Sequence, residues 1–436
     1  MKRWMAWVLT ALLIFGGCAP KEEELISQNN NLPMAEQSAA ETEQTESAEP
    51  TESDPVDTTA PQSSAQTQTP AQSTGKESAT QTPAQNDAPA ADTPVSKDEP
   101  AQPTQTKDKT LVDITTDVRY FGRTYYQNST YWFNWTASGF EFTFNGTGAE
   151  ATLETESRGE EHTAFIKIYI DGKEQTKSIA ITDSMQTVTL CKGLKSGVHT
   201  VRVVKRTNGR SASLGLMDIT LLKGGTIEAP PAAKERRIEF VGDSITVGYG
   251  VLATSATAVW STKTEDGTQT YAALAGNALH AEYNVVAISG RGLAHNTGGD
   301  TDKLMPALYT GTDGYNNAGA AWDFNSFQPH VVVVNLGTND HSTSTESEVT
   351  AAATAFLKTI RKNNPSAYII VAYGMMGNKM EGALKSAVSA CGDNKISYLA
   401  LKIAENRLLG HPDKTSHQEN ALLLEKEIRR LTGWKD

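Results

Sequence analysis

The chain has 436 residues, which allows two or three domains, and its formal net charge is −12 at pH 7. The acidity lies between residues 21 and 110, where 5 Lys stand against 17 Asp and Glu. The rest of the chain is nearly neutral and contains no basic block, which argues against nucleic acid as a partner.

The first 18 residues have the pattern of a secretion signal. Lys2 and Arg3 precede an apolar run over residues 4–15 that is too short to span a bilayer, and two glycines lead to Cys18. This ending resembles the lipobox of bacterial lipoproteins, in which the cysteine is acylated and becomes the new N-terminus. The resemblance implies a lipid anchor on Cys18 at the extracellular face of a bacterial membrane. An ordinary cleaved signal with a chance cysteine is the alternative.

Residues 19–110 have the composition of a linker. They contain no Phe, Tyr or Trp and one Gly, and are rich in Ala, Gln, Thr, Ser, Pro, Glu and Asp. Such a segment cannot bury enough apolar surface to offset the entropy lost on ordering, so we predict that it is disordered. A flexible coil of ~90 residues spans roughly 50 Å, which suits a tether that holds a folded enzyme away from the membrane.

Residues 111–228 are predicted to form an all-β sandwich or jelly roll. Short runs with alternating apolar residues indicate strands over 130–135, 140–144, 164–170 and 199–204. Asp171-Gly172 directly follows the third run and predicts a tight turn. The aromatic residues Tyr131, Trp132, Phe133 and Trp135 are interpreted mainly as core residues, with a sugar-stacking face as the alternative.

Residues 234–436 are predicted to form an α/β domain with a parallel sheet covered by helices on both sides. The strands are predicted over 237–241, 283–288, 331–336, 367–372 and 396–400. Helices are predicted over 266–280 and 346–362. A last helix is predicted to start at Ser416, with Glu419 completing a capping box.

Four candidate site residues lie close to strand ends or helix starts of this domain. Working residues of such a sheet lie beyond the carboxyl ends of the strands. Ser244 follows the first strand in Gly-Asp-Ser, Gly290 follows the second and Asn339 follows the third. His411 stands before the last helix, where it is well held by the Pro that follows it.

Each of these four positions has a plainer interpretation. Asp-Ser at a strand end also caps a helix, Gly290 can serve a simple turn, and Asn339 can form an Asx turn. His417, at the start of the last helix, competes with His411 as a general base.

Taken together and in this order, the four elements resemble the signature blocks of the SGNH (GDSL-type) hydrolase superfamily. The resemblance implies that Ser244 is the nucleophile and His411 the base. It also implies that the Ser244 amide, the Gly290 amide and the Asn339 side chain form the oxyanion hole.

A closer resemblance covers roughly residues 115–436. Gly122-Arg123-Thr124, the run 289–293 and Trp322-Asp323-Phe324 are similar to carbohydrate esterase family 2. Membership implies an N-terminal jelly roll and hydrolysis of O-acetyl esters on xylan- or mannan-type polysaccharides through an acetyl-serine. It implies no metal or organic cofactor.

The sequence departs from the superfamily at one point. Most members place an Asp two or three residues before the base His, whereas Leu409 and Leu408 hold those positions here. The resemblance to family 2 implies a Ser–His dyad in which a backbone carbonyl orients the imidazole. Asp413 and Glu405 remain alternative acids.

Several expectations concern substrate and partners. Trp322, Trp260 and Tyr309 are candidates for stacking against a sugar ring, although each is interpreted mainly as a structural residue. The expected partner is an acetylated polysaccharide or oligosaccharide, the protein is expected to be a monomer, and its membrane contact is expected through the lipidated N-terminus alone. A lipase or thioesterase of the same superfamily and a non-catalytic surface glycan-binding protein are the rival functions. Pairing of Cys191 with Cys391 stays open.

Overall fold

The computed structural model describes residues 109–435, apart from residues 158, 176, 314, 316 and 317 and the side chains of 318–320. The predicted signal with Cys18 and nearly all of the predicted linker lie outside the described residues. The described residues all belong to one compact unit of the chain. No helix within them is both long and apolar enough to cross a membrane.

Antiparallel strands form the first half of the described chain. Their bounds are β1 Lys109–Val112, β2 Arg119–Phe121, β3 Tyr125–Gln127, β4 Thr130–Trp132, β5 Gly139–Gly146, β6 Ala149–Ser157, β7 Ala164–Ile170, β8 Lys173–Glu174, β9 Ile179–Ile181, β10 Met185–Cys191, β11 Gly197–Lys205, β12 Ala212–Leu222 and β13 Thr226–Glu228. One sheet has the order β10-β6-β12-β4-β3 with β1 beside β12. The other has the order β13-β5-β11-β7-β8, with β2 beside β5 and β9 beside β7.

The two sheets enclose a common apolar core, which confirms the predicted β-sandwich. Phe140, Phe142 and Phe144 alternate along β5 and are fully buried against side chains such as Leu214 and Leu216 of the other sheet. The period of two places every second side chain in this core, as in other sheets with one buried face.

The aromatic run in and after β4 belongs to the interior of the protein. Trp132, Phe133 and Trp135 are buried, and Tyr131 stacks on Tyr120 with 3.9 Å between ring centroids. Trp135 donates its indole N–H to the carbonyl of Thr312 in the second domain at 2.7 Å. These contacts favour the core interpretation over the sugar-stacking alternative.

The second half alternates strands and helices. The elements are β14 Arg237–Gly242, α1 Ser244–Val247, α2 Tyr271–Ala278, β15 Glu282–Ala287, α3 Met305–Leu308, β16 Gly311–Asp313, β17 Ala318–Ala321, β18 Val331–Asn335, α4 Glu346–Asn363, β19 Tyr368–Tyr373, α5 Glu381–Cys391, β20 Ile396–Ala400, β21 Arg407–Leu408, β22 His411–Pro412 and α6 Lys414–Thr432. The sheet is parallel with the order β15-β14-β18-β19-β20. The chain continues from β14 to β15 on one side and then crosses to β18 on the other side of β14. The strand order therefore reverses at β14, and a crevice opens there at the carboxyl ends of the strands.

Helices cover both faces of this sheet, which confirms the predicted three-layer α/β fold. On one face, α4 and α5 pack against side chains such as Val332 and Val334. On the other face, α2 and α6 pack against side chains such as Phe240 and Val333. The run of β-branched residues in β18 is buried on both sides, as expected for a central parallel strand.

Two predicted helix starts are wrong. The helix predicted from residue 266 begins at Tyr271, because the Asp266 carboxylate accepts the amide of Thr268 at 3.0 Å and holds a 3-10 turn there. The last helix begins at Lys414 instead of Ser416. Asp413 is its N-cap and accepts the amide of Ser416 at 2.9 Å, so the predicted capping box does not form.

The two domains are joined by buried polar contacts. Arg123 is almost fully buried and pairs with Glu239 of β14 at 3.0 Å. Its guanidinium also donates to the carbonyls of Tyr309 and Gly311. This ion pair gives a physical role to the Gly-Arg-Thr run of the sequence, since it fixes the β-sandwich against the first strand of the sheet.

Candidate active site

The sharp exit from β14 presents Ser244. Gly242 is required there because a Cβ atom at this position would lie 2.0 Å from the Thr246 hydroxyl. The Asp243 carboxylate caps α1 by accepting the amide of Ile245 at 2.9 Å. Ser244 is the first residue of α1, so its amide has no carbonyl partner within the helix. Asp243 can therefore cap the helix while the Ser244 hydroxyl faces the crevice, so the two interpretations of the Asp-Ser pair are compatible.

A short hairpin, β21 and β22, places His411 against Ser244. The two-residue turn consists of Leu409 and Gly410, both with positive φ (53° and 74°), and pairs Leu408 with His411. Nε2 of His411 lies 2.8 Å from Oγ of Ser244. Nδ1 of His411 lies 3.0 Å from the Leu409 carbonyl oxygen.

This arrangement fixes the tautomer of His411. A carbonyl can only accept, so Nδ1 carries the proton and Nε2 is left free to accept from the Ser244 hydroxyl. Burial lowers the pKa of His411 below its ordinary value, and the bond to the Leu409 carbonyl partly opposes that shift. The imidazole is therefore neutral at neutral pH, the state that a general base needs.

The alternative acids lie elsewhere. The Asp413 carboxylate caps α6 and accepts both the amide and the hydroxyl of Ser416. Glu405 is exposed and pairs with Lys402 at 3.3 Å. The position beside Nδ1 of His411 is held by the Leu409 carbonyl.

The competing base His417 is a structural residue. It is fully buried, and its Nδ1 accepts the amide of Tyr271 at the start of α2, at 3.1 Å. Burial lowers the pKa of His417 to about 3, so the ring stays neutral and ties α6 to α2.

Asn339 follows β18 and points its side chain across the crevice. Nδ2 donates to the carbonyl of Arg291 at 2.8 Å and, over a longer 3.3 Å, to the Asp243 carboxylate. Oδ1 accepts the hydroxyl of Thr297 at 2.6 Å. The side chain is therefore fixed by three partners from other segments, in place of the Asx turn considered from the sequence.

The loop after β15 is folded around a buried carboxylate. Asp340 accepts the amides of Leu293, Ala294 and His295 at 2.7 to 3.1 Å. Because Asp340 is adjacent to Asn339 in the chain, it fixes the Gly290 loop relative to that side chain. Gly290 itself has a φ of 81°.

Asp243 is the second buried carboxyl at this edge of the sheet. The pKa of Asp243 is raised to about 7, mainly by burial and to a smaller extent by the nearby Asp340, whereas the amide of Ile245 opposes the shift. The carboxyl beneath Ser244 thus changes its charge close to neutral pH.

The four predicted residues Ser244, Gly290, Asn339 and His411 line one open cavity of about 370 Å³. A second cavity of about 200 Å³ shares Arg210, Tyr249 and Ser289 with the first. The second cavity also contains His162, Asn208 and Ser211, so the β-sandwich supplies part of its wall. The volume of the larger cavity lies within the usual range for small-ligand sites.

Each of the two domains matches a known protein family. Residues 120–231 match the family described as carbohydrate esterase 2 N-terminal, and residues 240–403 match the GDSL-like lipase/acylhydrolase family. A family two carbohydrate esterase from Clostridium thermocellum, solved in complex with cellohexaose, is 30% identical with a TM-score of 0.68. The match covers 73% of this chain and 100% of that chain.

The chain belongs to carbohydrate esterase family 2.

Two further relatives match this chain over different shares of their own length. The cellulase/esterase CelE of Acetivibrio thermocellus is 34% identical over 317 residues, which are 69% of this chain and 38% of CelE. The chain thus spans little more than a third of that relative. An acetylxylan esterase / glucomannan deacetylase of Cellvibrio japonicus is 27% identical over 300 residues, 66% of this chain and 82% of that protein.

One of the three stacking candidates of this family 2 member lies at the cavities. Trp260 lines the smaller cavity and stacks on Tyr249, with 5.6 Å between ring centroids and an interplanar angle of 9°. The Tyr249 ring in turn lies 4.4 Å from the His411 ring. The three rings form a continuous wall that begins at the candidate base.

The other two candidates lie outside the Ser244 cavity. Tyr309 is fully buried against Phe324 and Phe356, which contradicts a role in stacking on a sugar. Trp322 packs 5.0 Å from the Arg123 guanidinium and lines a cavity at the amino ends of the strands, opposite Ser244. Both residues support the packing around Arg123.

Sequence reasoning missed four residues around the site: Arg210, Tyr249, Thr297 and Asp340. Asp340 is next to Asn339 in the sequence, so a position near the site could be inferred for it. Its hydrogen bonds to the backbone amides of residues 293–295 could not. The other three reach the site only through tertiary packing.

Cys191 and Cys391 are both free. In the part of the chain that the structure describes, no group of three or more His, Cys, Asp or Glu side chains is placed to hold a metal ion.

Proposed function

We propose that this chain is a serine esterase that removes O-acetyl groups from xylan- or mannan-type polysaccharides. The observation that carries the proposal is the contact of 2.8 Å between Ser244 Oγ and His411 Nε2, with the Leu409 carbonyl behind the imidazole. Relatives named acetylxylan esterase / glucomannan deacetylase support the substrate class.

The first chemical step is acyl transfer to the serine. Nε2 of His411 accepts the hydroxyl proton while Oγ of Ser244 attacks the ester carbonyl, which gives a tetrahedral intermediate. When this intermediate collapses, the protonated imidazole gives its proton to the departing sugar oxygen. The acetyl group then remains on Ser244.

The developing oxyanion is stabilised by three donors in this proposal. Two are the backbone amides of Ser244 and Gly290, and the third is Nδ2 of Asn339. The longer of the two Asn339 bonds, 3.3 Å to the Asp243 carboxylate, is the one that can be exchanged for the oxyanion. The bond from Thr297 to Oδ1 keeps the amide in the required orientation.

Deacylation repeats the same proton transfers with water as the nucleophile. His411 accepts a proton from the water that attacks the acetyl group, and then returns it to Oγ of Ser244. The Leu409 carbonyl keeps the ring in place throughout. It stabilises the imidazolium less than a buried carboxylate does, which fits the lowered pKa of His411.

The main cavity presents several groups that can hydrogen-bond with a carbohydrate. Its described lining is rich in Ser, Thr, Asn, His and Arg side chains. Met376 and Tyr249 also line it. These side chains can hydrogen-bond with sugar hydroxyls, while the carbon surface between them can pack against a sugar ring.

Acetate release tests the proposal. Wild type and Ser244→Ala are incubated with acetylated xylan, acetylated glucomannan, a small chromogenic acetate and a long-chain acyl ester. We expect wild type to release acetate and Ser244→Ala to release none. Preference for the long acyl ester would favour the lipase alternative. Glycan binding without release from any ester would favour a binding protein.

We also propose that the mature protein is held by lipid on Cys18 at the extracellular face of a bacterial membrane. The support is the basic start, the apolar run and the Gly-Gly-Cys end of the signal segment. Replacing Cys18 by Ala is expected to move the esterase from the membrane fraction to the medium, measured by fractionation and immunoblotting. Retention of the variant on the membrane would contradict this localisation.

A further inference from the structure

The turn between β11 and β12 presents an arginine over the candidate active site. Arg210 belongs to the β-sandwich, yet it lines both cavities beside Ser244. One of its terminal nitrogens lies 3.6 Å from the position that a Cβ atom on Gly290 would occupy. Its charge also acts on the Tyr249 hydroxyl, because it opposes the upward shift that burial and Glu265 give to the pKa of that tyrosine.

The turn that carries Arg210 is held firmly. Oδ1 of Asn208 accepts the amide of Arg210 at 3.1 Å, and the carbonyl of Asn208 accepts the amide of Ser211. Asn208 is buried, and its own amide donates to the Glu265 carboxylate of the other domain at 3.1 Å. Gly209 fits closely against the carbonyl of Asn134, where a Cβ atom would lie at 2.8 Å. The arginine therefore projects from a fixed backbone.

The charges around Arg210 leave it available for a ligand. Within the described residues, no carboxylate forms a hydrogen bond or an ion pair with its guanidinium, unlike the paired Arg119, Arg123, Arg202 and Arg361. The described walls of the two cavities contain Arg210 and three histidines and no Asp or Glu.

We propose that Arg210 binds a carboxylate carried by the glycan, so that the enzyme prefers acetylated polysaccharides with a uronic acid beside the acetylated sugar. The planar guanidinium suits two parallel hydrogen bonds to a carboxylate. This inference rests on the proposed esterase function. The uronic acid can come from a side group, as in glucuronoxylan, or from the main chain, as in galacturonan.

The test compares matched substrates on the mature chain. Acetylated xylo-oligosaccharides with a glucuronic acid side group are assayed before and after the uronic acid is removed with a glucuronidase. Acetylated galacturonan oligosaccharides, against the same oligosaccharides with reduced carboxyl groups, test the main-chain source. The readout is the ratio of kcat/KM between the acidic and the neutral member of each pair.

We expect wild type to prefer the acidic member of at least one pair by about fivefold, the size of a partly exposed charge pair. Raising the salt to about 1 M should reduce this ratio, because the screening length falls to about 3 Å. Arg210→Gln should bring the ratio close to one, mainly through KM, and Arg210→Lys should retain part of it. Lys362→Gln, an equal change of charge at an exposed residue of α4 that lines neither cavity, should behave as wild type.

Three results separate the possible failures. A wild-type ratio of one for both pairs overturns the inference but leaves the esterase function intact. An equal loss on acidic and neutral members in Arg210→Gln also overturns it, because the arginine would then act on the reacting centre. No release of acetate from any ester by wild type means that the proposed function itself fails.

Discussion

Ser244, His411, Asn339 and Gly290 form a site in which one backbone carbonyl holds the place that a carboxylate occupies in a triad. The Leu409 carbonyl fixes the tautomer of His411, and the bond from Thr297 fixes the Asn339 amide. The side chains of His411 and Asn339 are thus each oriented by a residue outside the proposed reaction.

The oxyanion role of Asn339 gives the first prediction. Asn339→Ala should lower kcat by roughly 10²-fold or more with little change in KM, because a transition-state donor is lost. Thr297→Val should have a smaller effect in the same direction, since it removes the bond that orients the amide. Steady-state kinetics on a small acetate ester measures both. A change confined to KM in Asn339→Ala would contradict the assigned role.

The pH dependence follows from the lowered pKa of His411. A base must be neutral to work, so a lowered pKa keeps it active further into the acid range. The acid limb of kcat/KM, measured across about pH 5 to 8, should lie below the ordinary histidine value of ~6.5. Asp243 also titrates in this range, with a pKa of about 7. The limb should stay in place in Asp243→Asn. A limb above 6.5, or one that moves in this variant, would show that His411 does not control it.

That Ser244, Gly290, Asn339 and His411 line one cavity could be predicted from the sequence, because each lies in a short run at a strand end or before a helix. Arg210, Tyr249 and Thr297 could not, because no local pattern marks them. Arg210 is 80 residues away from Gly290 in the chain and meets it only through the packing of the two domains.

At the scale of single elements, the hairpin of β21 and β22 positions the base. Its turn places Leu409 and Gly410 at positive φ, a conformation that suits glycine and is unfavourable for leucine. The five sheet strands were predictable from their apolar runs, with ends shifted by at most one residue. This hairpin was not, since strands of two residues show no periodicity.

Gly410→Ala should lower the free energy of unfolding by about 1 kcal/mol and also lower kcat. No atom lies within 4 Å of the added methyl group, so the cost arises from the backbone alone. Relief of that strain would move the Leu409 carbonyl. Gly392→Ala is the matched control: its φ of 60° and open surroundings are similar, but it ends α5 away from the site. Urea unfolding and kinetics should show equal destabilisation, with a loss of kcat in Gly410→Ala alone.

For the molecule as a whole, the β-sandwich and the α/β domain depend on each other. The buried ion pair of Arg123 and Glu239 joins the two domains at one place. The ion pair of Lys167 and Asp266, with 2.9 Å between Nζ and Oδ2, joins them at another. The sequence indicated two neighbouring domains but could not show that the first one contributes to the walls of the site.

Arg123→Ala should lower the free energy of unfolding by about 3 to 5 kcal/mol, because the buried charge of Glu239 loses its counter-ion and keeps only the hydrogen bond from the Tyr309 hydroxyl. The double variant Arg123→Met with Glu239→Leu should cost less than the single one, since no isolated charge remains. Urea unfolding should follow one transition for both domains. A larger loss in the double variant, or two separate transitions in wild type, would contradict this account of the interface.

The most direct test is to identify the nucleophilic serine. The purified chain is treated with a fluorophosphonate, which phosphonylates activated serines with loss of fluoride, and the modified peptide is identified by mass spectrometry. We expect modification of Ser244 alone, in proportion to the loss of esterase activity, and little or no modification in His411→Ala. Full activity after Ser244 is labelled, or modification of another serine with loss of activity, would contradict the account.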